Sequence, residues 1–232
     1  MPRAYINIFA RYLILISFVV LCLPWALNAQ GSSQAVPAAD VDQVINRLSD
    51  NYAKLDNFQC LLTKFERLGS KTDLRVYKYS FMKPRLIRME IIKGKNQGSI
   101  AVYKDGSVRA RHGGIFKPFV ATCKITDRMV TSLRGGTITE SDWLSIVDKL
   151  KAYRQDNKLK NEGIRERGGR KAYLLAIDGL DEDGVTARKL WIDASSFLPL
   201  ASETYEGKIL VNSMDYSDIA LNIKIPDGLF DL

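Results

Sequence analysis

The chain has 232 residues, with 34 Lys and Arg against 26 Asp and Glu, a formal charge of +8. One histidine and three cysteines are too few for a usual zinc site, and any Ser–His or Cys–His pair would have to use His112. The surplus of cations fits anionic partners or plain solubility.

The first segment reads as an export signal. Arg3 and Arg11 flank the start of an apolar run, Tyr12–Leu23, which is followed by Pro24 and the small Ala29. A basic head, an apolar stretch of roughly 7–15 residues and a small-residue cut site define a secretory signal. The expected cut follows Ala29, with Ala35 and Ala38 as other small-residue sites. An uncleaved anchor is the alternative, but the run falls short of the roughly 20 apolar residues that span a bilayer. Cys22 follows Leu21 rather than a small residue, so no lipid attachment is expected there. The expected organisation is a signal peptide over 1–29, a flexible linker over 30–39 and one domain over 40–232. Without Arg3 and Arg11 the chain keeps 32 basic residues against 26 acidic ones. Export puts nucleic acid out of reach. Lipid headgroups, lipopolysaccharide, wall polymers or an acidic protein are then the anionic partners to expect.

Asp40–Leu55 reads as a helix. Val41, Val44, Ile45, Leu48, Tyr52 and Leu55 recur at three- and four-residue spacing, and Asp40 is placed to cap it. From Phe58 the period changes to two. Phe58–Leu68, Leu74–Lys83, Leu86–Ile92, Ser99–Tyr103 and Ser107–Arg111 read as strands separated by Gly69–Ser70, Lys83–Pro84, Lys93–Gly98 and Asp105–Gly106. Asp-Gly between two short runs is a strong hairpin signal. Thr126–Leu133 reads as a short amphipathic helix ended by Gly135–Gly136. Trp143–Tyr153 reads as a second helix after the capping run Thr139–Asp142. Strands resume at Lys158–Arg167, Lys171–Asp178, Ala187–Asp193, Leu200–Tyr205 and Lys208–Met214, and Tyr216–Leu232 reads as irregular. Short strands with tight turns make an antiparallel meander, and the helices must bury their apolar faces on it. The expected class is α+β: a long, bent antiparallel sheet of about 10–11 strands with helices on one side.

Little in the chain points to catalysis. His112 stands beside Gly113 and Gly114 at a strand end, with no recognisable nucleophile elbow elsewhere. Asp181-Glu182-Asp183-Gly184 lacks the spaced ligands of a calcium loop and reads as a hairpin turn. Asp142 and Asp193 are the carboxylates to test for glycoside hydrolysis, although nothing marks them as a pair. No metal and no cofactor are expected. Cys60 and Cys123 could pair in an oxidising compartment, worth roughly 4 kcal/mol in the loop-entropy model, or remain two buried thiols.

The positive signal lies between Tyr77 and Ile91. Alternation puts Tyr77, Tyr79, Phe81, Ile87, Met89 and Ile91 on one face, with Lys83 and Arg85 at the strand junction. Cations at the rim of an apolar surface suit an amphiphile with an anionic or carbonyl head. The same pattern also describes an ordinary sheet–helix core, and pattern alone favours the core. The expected ligand-cavity residues are Tyr79, Phe81, Ile87, Met89, Ile91 and Trp143, and the expected lid or rim residues are Lys83 and Arg85.

Several stretches resemble the periplasmic outer-membrane lipoprotein carriers, the LolA-like proteins. They are Leu55-Asp56-Asn57-Phe58-Gln59, Phe65-Glu66, Met82–Glu90 around Lys83-Pro84-Arg85, Leu190-Trp191-Ile192-Asp193, Phe197-Leu198-Pro199-Leu200, Glu203–Gly207, and Tyr216–Asn222 with Ile225-Pro226 and Phe230. They span most of the chain after the signal, and their details are closer to a secreted LolA-like branch than to the carrier itself. The resemblance implies an incomplete antiparallel β-barrel, a strongly bent half-barrel with helices covering its concave apolar face as a lid over a cavity for the acyl chains of lipoproteins. It also implies an arginine before the strand-joining proline that holds the lid, and aromatics in the cavity. Here Lys83 stands before Pro84, and Ile87 and Met89 stand at the aromatic positions. Lysine lacks the planar fork of arginine. The expected function is a monomeric periplasmic binder or carrier of lipid or lipoprotein acyl chains, not an enzyme. The alternative is an envelope-stress regulatory or sensory module of the same fold that binds a membrane-protein partner.

Overall fold

The computed structural model describes residues 39–114 and 119–232. The expected export signal and the leader up to residue 38 lie outside the described residues.

Eleven antiparallel strands form one sheet. They are β1 (Asn57–Leu68), β2 (Lys71–Met82), β3 (Leu86–Lys93), β4 (Ile100–Lys104), β5 (Ser107–Arg111), β6 (Val120–Lys124), β7 (Leu159–Arg167), β8 (Arg170–Glu182), β9 (Val185–Asp193), β10 (Pro199–Glu206) and β11 (Ile209–Leu221). Their spatial order is β6-β5-β4-β3-β2-β1-β11-β10-β9-β8-β7. Each half of the sequence is therefore a meander of neighbouring hairpins. The two halves join where β1 pairs with β11, Phe58 opposite Leu221 and Glu66 opposite Asn212. The edges are β6 and β7, and the sheet is not closed. The β4–β5 turn has Asp105 and Gly106 both at positive φ, 50° and 78°, as a tight hairpin of this twist needs.

Two helices lie on the sheet, α1 (Val41–Ala53) and α2 (Trp143–Gln155), the latter preceded by a 3₁₀ turn, Ile138–Ser141. One continuous apolar cluster joins them to both meanders. It includes Val44, Leu48 and Tyr52 of α1, Trp143, Val147 and Leu150 of α2, Phe81 and Ile87 of one wing, and Leu175 and Ile192 of the other. A flat sheet could not bring β3 and β9 to the same helices, so the sheet curves round them as an incomplete barrel. On the opposite face the C-terminal tail crosses β3 and β4. Phe230 packs on Ile100 and Val102, Arg88 donates to the Leu229 carbonyl at 3.1 Å, and Lys104 pairs with Asp231 at 3.1 Å.

Two expectations are corrected, and of the two alternatives for the cysteines the structure has the free thiols. Thr126–Leu133 forms turns, not a helix. The Asp127 carboxylate accepts from the Lys124 N–H at 2.7 Å, and Glu66 takes the Ser132 hydroxyl and the Leu133 N–H at 2.6 and 2.8 Å. Such bonds outcompete a helix this short. Val120–Lys124 is a strand, β6, and Tyr216–Leu221 continues β11 because β1 supplies its partner. Cys60 and Cys123 do not form a bridge: both are free and buried. They lie on β1 and β6, five strand steps apart in the sheet. Burial pushes both thiols up, away from reactive thiolates.

Candidate ligand cavity

A cavity of about 350 Å³ lies between β2–β6 and the loop that leads into α2. Its floor follows from register. Met89 is opposite Ala101, Ala101 opposite Ala110 and Ala110 opposite Ala121. Three neighbouring strands thus present alanine in one row on the inner face. The next inward row is bulky, Ile87–Tyr103–Val108–Cys123, and closes that end. Deleting methylenes from one row leaves the room that the neighbouring row fills.

The roof is the segment from Met129 to Ser141. It is held from below by Glu66, 3% exposed, whose carboxylate takes the two bonds described above and pairs with Lys64 Nζ at 3.1 Å. Arg134 ties the roof to both wings, donating to the Arg67 carbonyl at 2.8 Å and to Glu206 at 2.5 Å. At the open end the lining becomes polar and cationic, with Lys64, Arg75, Arg111 and His112. Phe119 and Met129 stand there too, 72% and 69% exposed. Gly113 sits at this mouth because a Cβ there would come within 2.2 Å of the Gln97 carbonyl oxygen.

The six expected cavity residues share the inner side but divide between two surroundings. Met89 and Ile91 line the cavity. Tyr79, Phe81, Ile87 and Trp143 have no exposed surface and fill the core beside it. Trp143 stacks on Phe58 at 3.9 Å between ring centroids, and Phe58 stacks on Phe81 at 5.2 Å and on Tyr79 at 5.6 Å. In the sequence the start of the roof reads as a short helix, and the alanine row carries no local signal: one alanine on each of three short strands becomes visible only once the register is known.

Lys83 and Arg85 both reach the helical layer. Lys83 Nζ donates to the Ala53 carbonyl at the end of α1, at 2.7 Å, and lies 5.5 Å from the Tyr52 ring centre. Arg85 does more. Its Nη2 donates to the Thr139 carbonyl at 3.3 Å and to the Ser145 hydroxyl at 3.0 Å, while Nε lies 3.3 Å from the Asp142 carboxylate. Asp142 is fully buried and caps α2, accepting from the Leu144 N–H at 3.2 Å. Burial raises its pKa, opposed by the Leu144 N–H and by Arg85. Asp193 is buried in a different turn, where it accepts from both the N–H and the hydroxyl of Ser195 and Ser196 and pairs with Arg170 at 2.8 Å. Burial works to raise that carboxyl, but these bonds outweigh it and the pKa falls. Each carboxylate serves the backbone of its own turn. His112 Nδ1 lies 2.9 Å from the Gly113 carbonyl. Among the described residues no cluster could hold a metal ion, and no helix is long and apolar enough to cross a membrane.

No protein-family model and no curated protein matches the chain. Solved structures do. An uncharacterized conserved protein from Thermus thermophilus matches with a TM-score of 0.54 at 13% identity, over 82% of this chain and 92% of that one. MucB matches with 0.51 at 15% identity, over 84% and 64%. The LolA superfamily protein NE2245 from Nitrosomonas europaea is also found, with 0.41 at 15% identity over 84% and 99%. At such identities what is shared is the fold. This chain shares an open antiparallel half-barrel fold with the Thermus protein and with MucB.

Proposed function

We propose that this protein binds an amphiphile outside the cytoplasm, holding the apolar chain in the alanine-floored cavity and leaving the polar head at its mouth. The observation that carries the reading is the row Ala101–Ala110–Ala121 beneath a pinned roof. Its volume is within the roughly 300–1,000 Å³ of small-molecule sites, and its apolar wall with polar groups at one end matches their pattern. The role is that of a monomeric carrier or binding protein rather than an enzyme. Export rests on the segment ending at Ala29, and sequencing of the mature amino terminus checks it.

The test fills the floor. Ala110→Phe puts a ring where the cavity now is. A fluorescent fatty acid is expected to bind the parent and to lose at least about tenfold in affinity in the variant, a change of about 1.4 kcal/mol. The variant's melting temperature should match or exceed the parent's, since a filled cavity adds contacts. Unchanged probe binding in a folded Ala110→Phe protein sinks the assignment.

A second reading, a regulatory module with a protein partner, is supported by the fold shared with MucB, which has been solved in complex with MucA. It expects cross-linking to recover one stable envelope partner, and the fatty acid to bind neither protein.

A further inference from the structure

Beside the cavity runs a second, more open depression of about 520 Å³. The two share Arg75, Thr131 and Ser132 in their linings, so they lie side by side. The second is bordered by four cations from three separate segments: Lys71 and Arg75 of β2, Lys95 of the β3–β4 turn, and Arg128 just before the roof. Asp73 is its single carboxylate, and it already holds the Arg75 guanidinium, at 3.1 Å to Nε and 2.5 Å to Nη2. Among the described residues, Lys71, Lys95 and Arg128 have no carboxylate within salt-bridge distance. The hydroxyls of Thr72 and Thr131 stand in the same lining.

We infer that this basic groove seats a phosphate-bearing headgroup, so that the ligand is an acidic phospholipid-type amphiphile. The inference rests on the cavity reading above and adds the class of head. A lone carboxylate needs one cation. Three cations without partners, placed on different sides of one depression with hydroxyl donors between them, suit the several oxygens and higher charge of a phosphate. Adjacency to an apolar cavity favours a lipid over a free anion.

The test uses the mature chain with two soluble short-chain fluorescent lipids of identical acyl groups, a phosphatidic acid and a diacylglycerol. The phosphatidic acid should bind at least about tenfold tighter, and added salt should shrink the difference. Lys95→Glu combined with Arg128→Glu changes two exposed side chains. It should abolish the preference while diacylglycerol affinity and melting temperature stay at the parent's values. Equal binding of the two lipids by the parent, or a preference that survives the double reversal, overturns the headgroup site and leaves the cavity standing. Binding of neither lipid overturns both readings. Inorganic phosphate is the third probe, expected to compete weakly and only with phosphatidic acid. If it occupies the groove as tightly as the lipid and displaces neither acyl group, the groove serves a free anion and the lipid assignment falls.

Discussion

Ile87 and Asp142 show what single residues decide. Alternation puts Ile87 on the inner face, but only the register reveals that its row is the bulky one. It has no exposed surface. Ile87→Glu therefore buries a carboxylate without a partner, at a cost of several kcal/mol, and is expected to unfold the domain. A circular-dichroism melt decides: a cooperative transition near the parent's temperature would mean that water reaches this row. Asp142 titrates in a direction that can be stated. Its carboxyl is raised by burial, so the folded protein holds that proton more tightly than the unfolded chain. The protonated form then adds stability below about pH 4, and this is lost as pH rises through the raised folded value. Asparagine still caps a helix but does not titrate. The stability difference between parent and Asp142→Asn should change with pH only in that acidic window, the parent falling relative to the variant as pH rises. Urea melts between about pH 3.5 and 6.5 measure it, and parallel curves would contradict it.

The elements were legible where local pattern and final structure agree, and opaque where distant partners decide. α1 was visible from its apolar stripe, and the β4–β5 hairpin from Asp105-Gly106. The roof was misread because its apolar spacing resembles a helix, while its actual bonds run to Glu66, 66 positions from Ser132. The extension of β11 was missed for the same reason, since its partner β1 lies at the other end of the domain. Glu66 also makes the roof separable from the sheet. Glu66→Gln keeps the size but removes the charge that holds Lys64 and two roof donors. A charge-assisted buried bond weakened this way costs about 1–3 kcal/mol. Hydrogen exchange should quicken at residues 129–136 and stay at the parent's rate in β8 and β9. Equal acceleration throughout would mean that Glu66 supports the whole domain and not the roof.

At the scale of the molecule, the bend is legible in the order of elements: helices with wide apolar faces that cannot cover each other must lie on the sheet. What holds the outer side was not inferred, because Tyr216–Leu232 looked irregular. Its last residues cover β3 and β4, with Phe230 6% exposed. Phe230→Ala should cost about 3 kcal/mol, the lower range for buried phenylalanine, because the tail can partly follow the lost ring. Thermal or urea unfolding reads this directly, and a loss under about 0.5 kcal/mol would mark the tail as surface decoration.

The seam between β1 and β11 sets the order in which the molecule can be made. Every other strand finds its partner among its chain neighbours. Among the strand pairings of the described residues, this seam alone joins the two halves, and beside it the Asp56 N–H donates to Asn222 Oδ1 at 2.8 Å across 166 positions. Each meander can therefore assemble as it appears, whereas the barrel wall waits for the last strand of the chain. Until β11 arrives, β1 is a bare edge of twelve residues, open to any other extended chain. A chain released early, before Ile209, would keep that edge for good. The growing polypeptide thus passes through a stage when pairing with a second copy competes with completing itself, and only the arrival of β11 ends the contest.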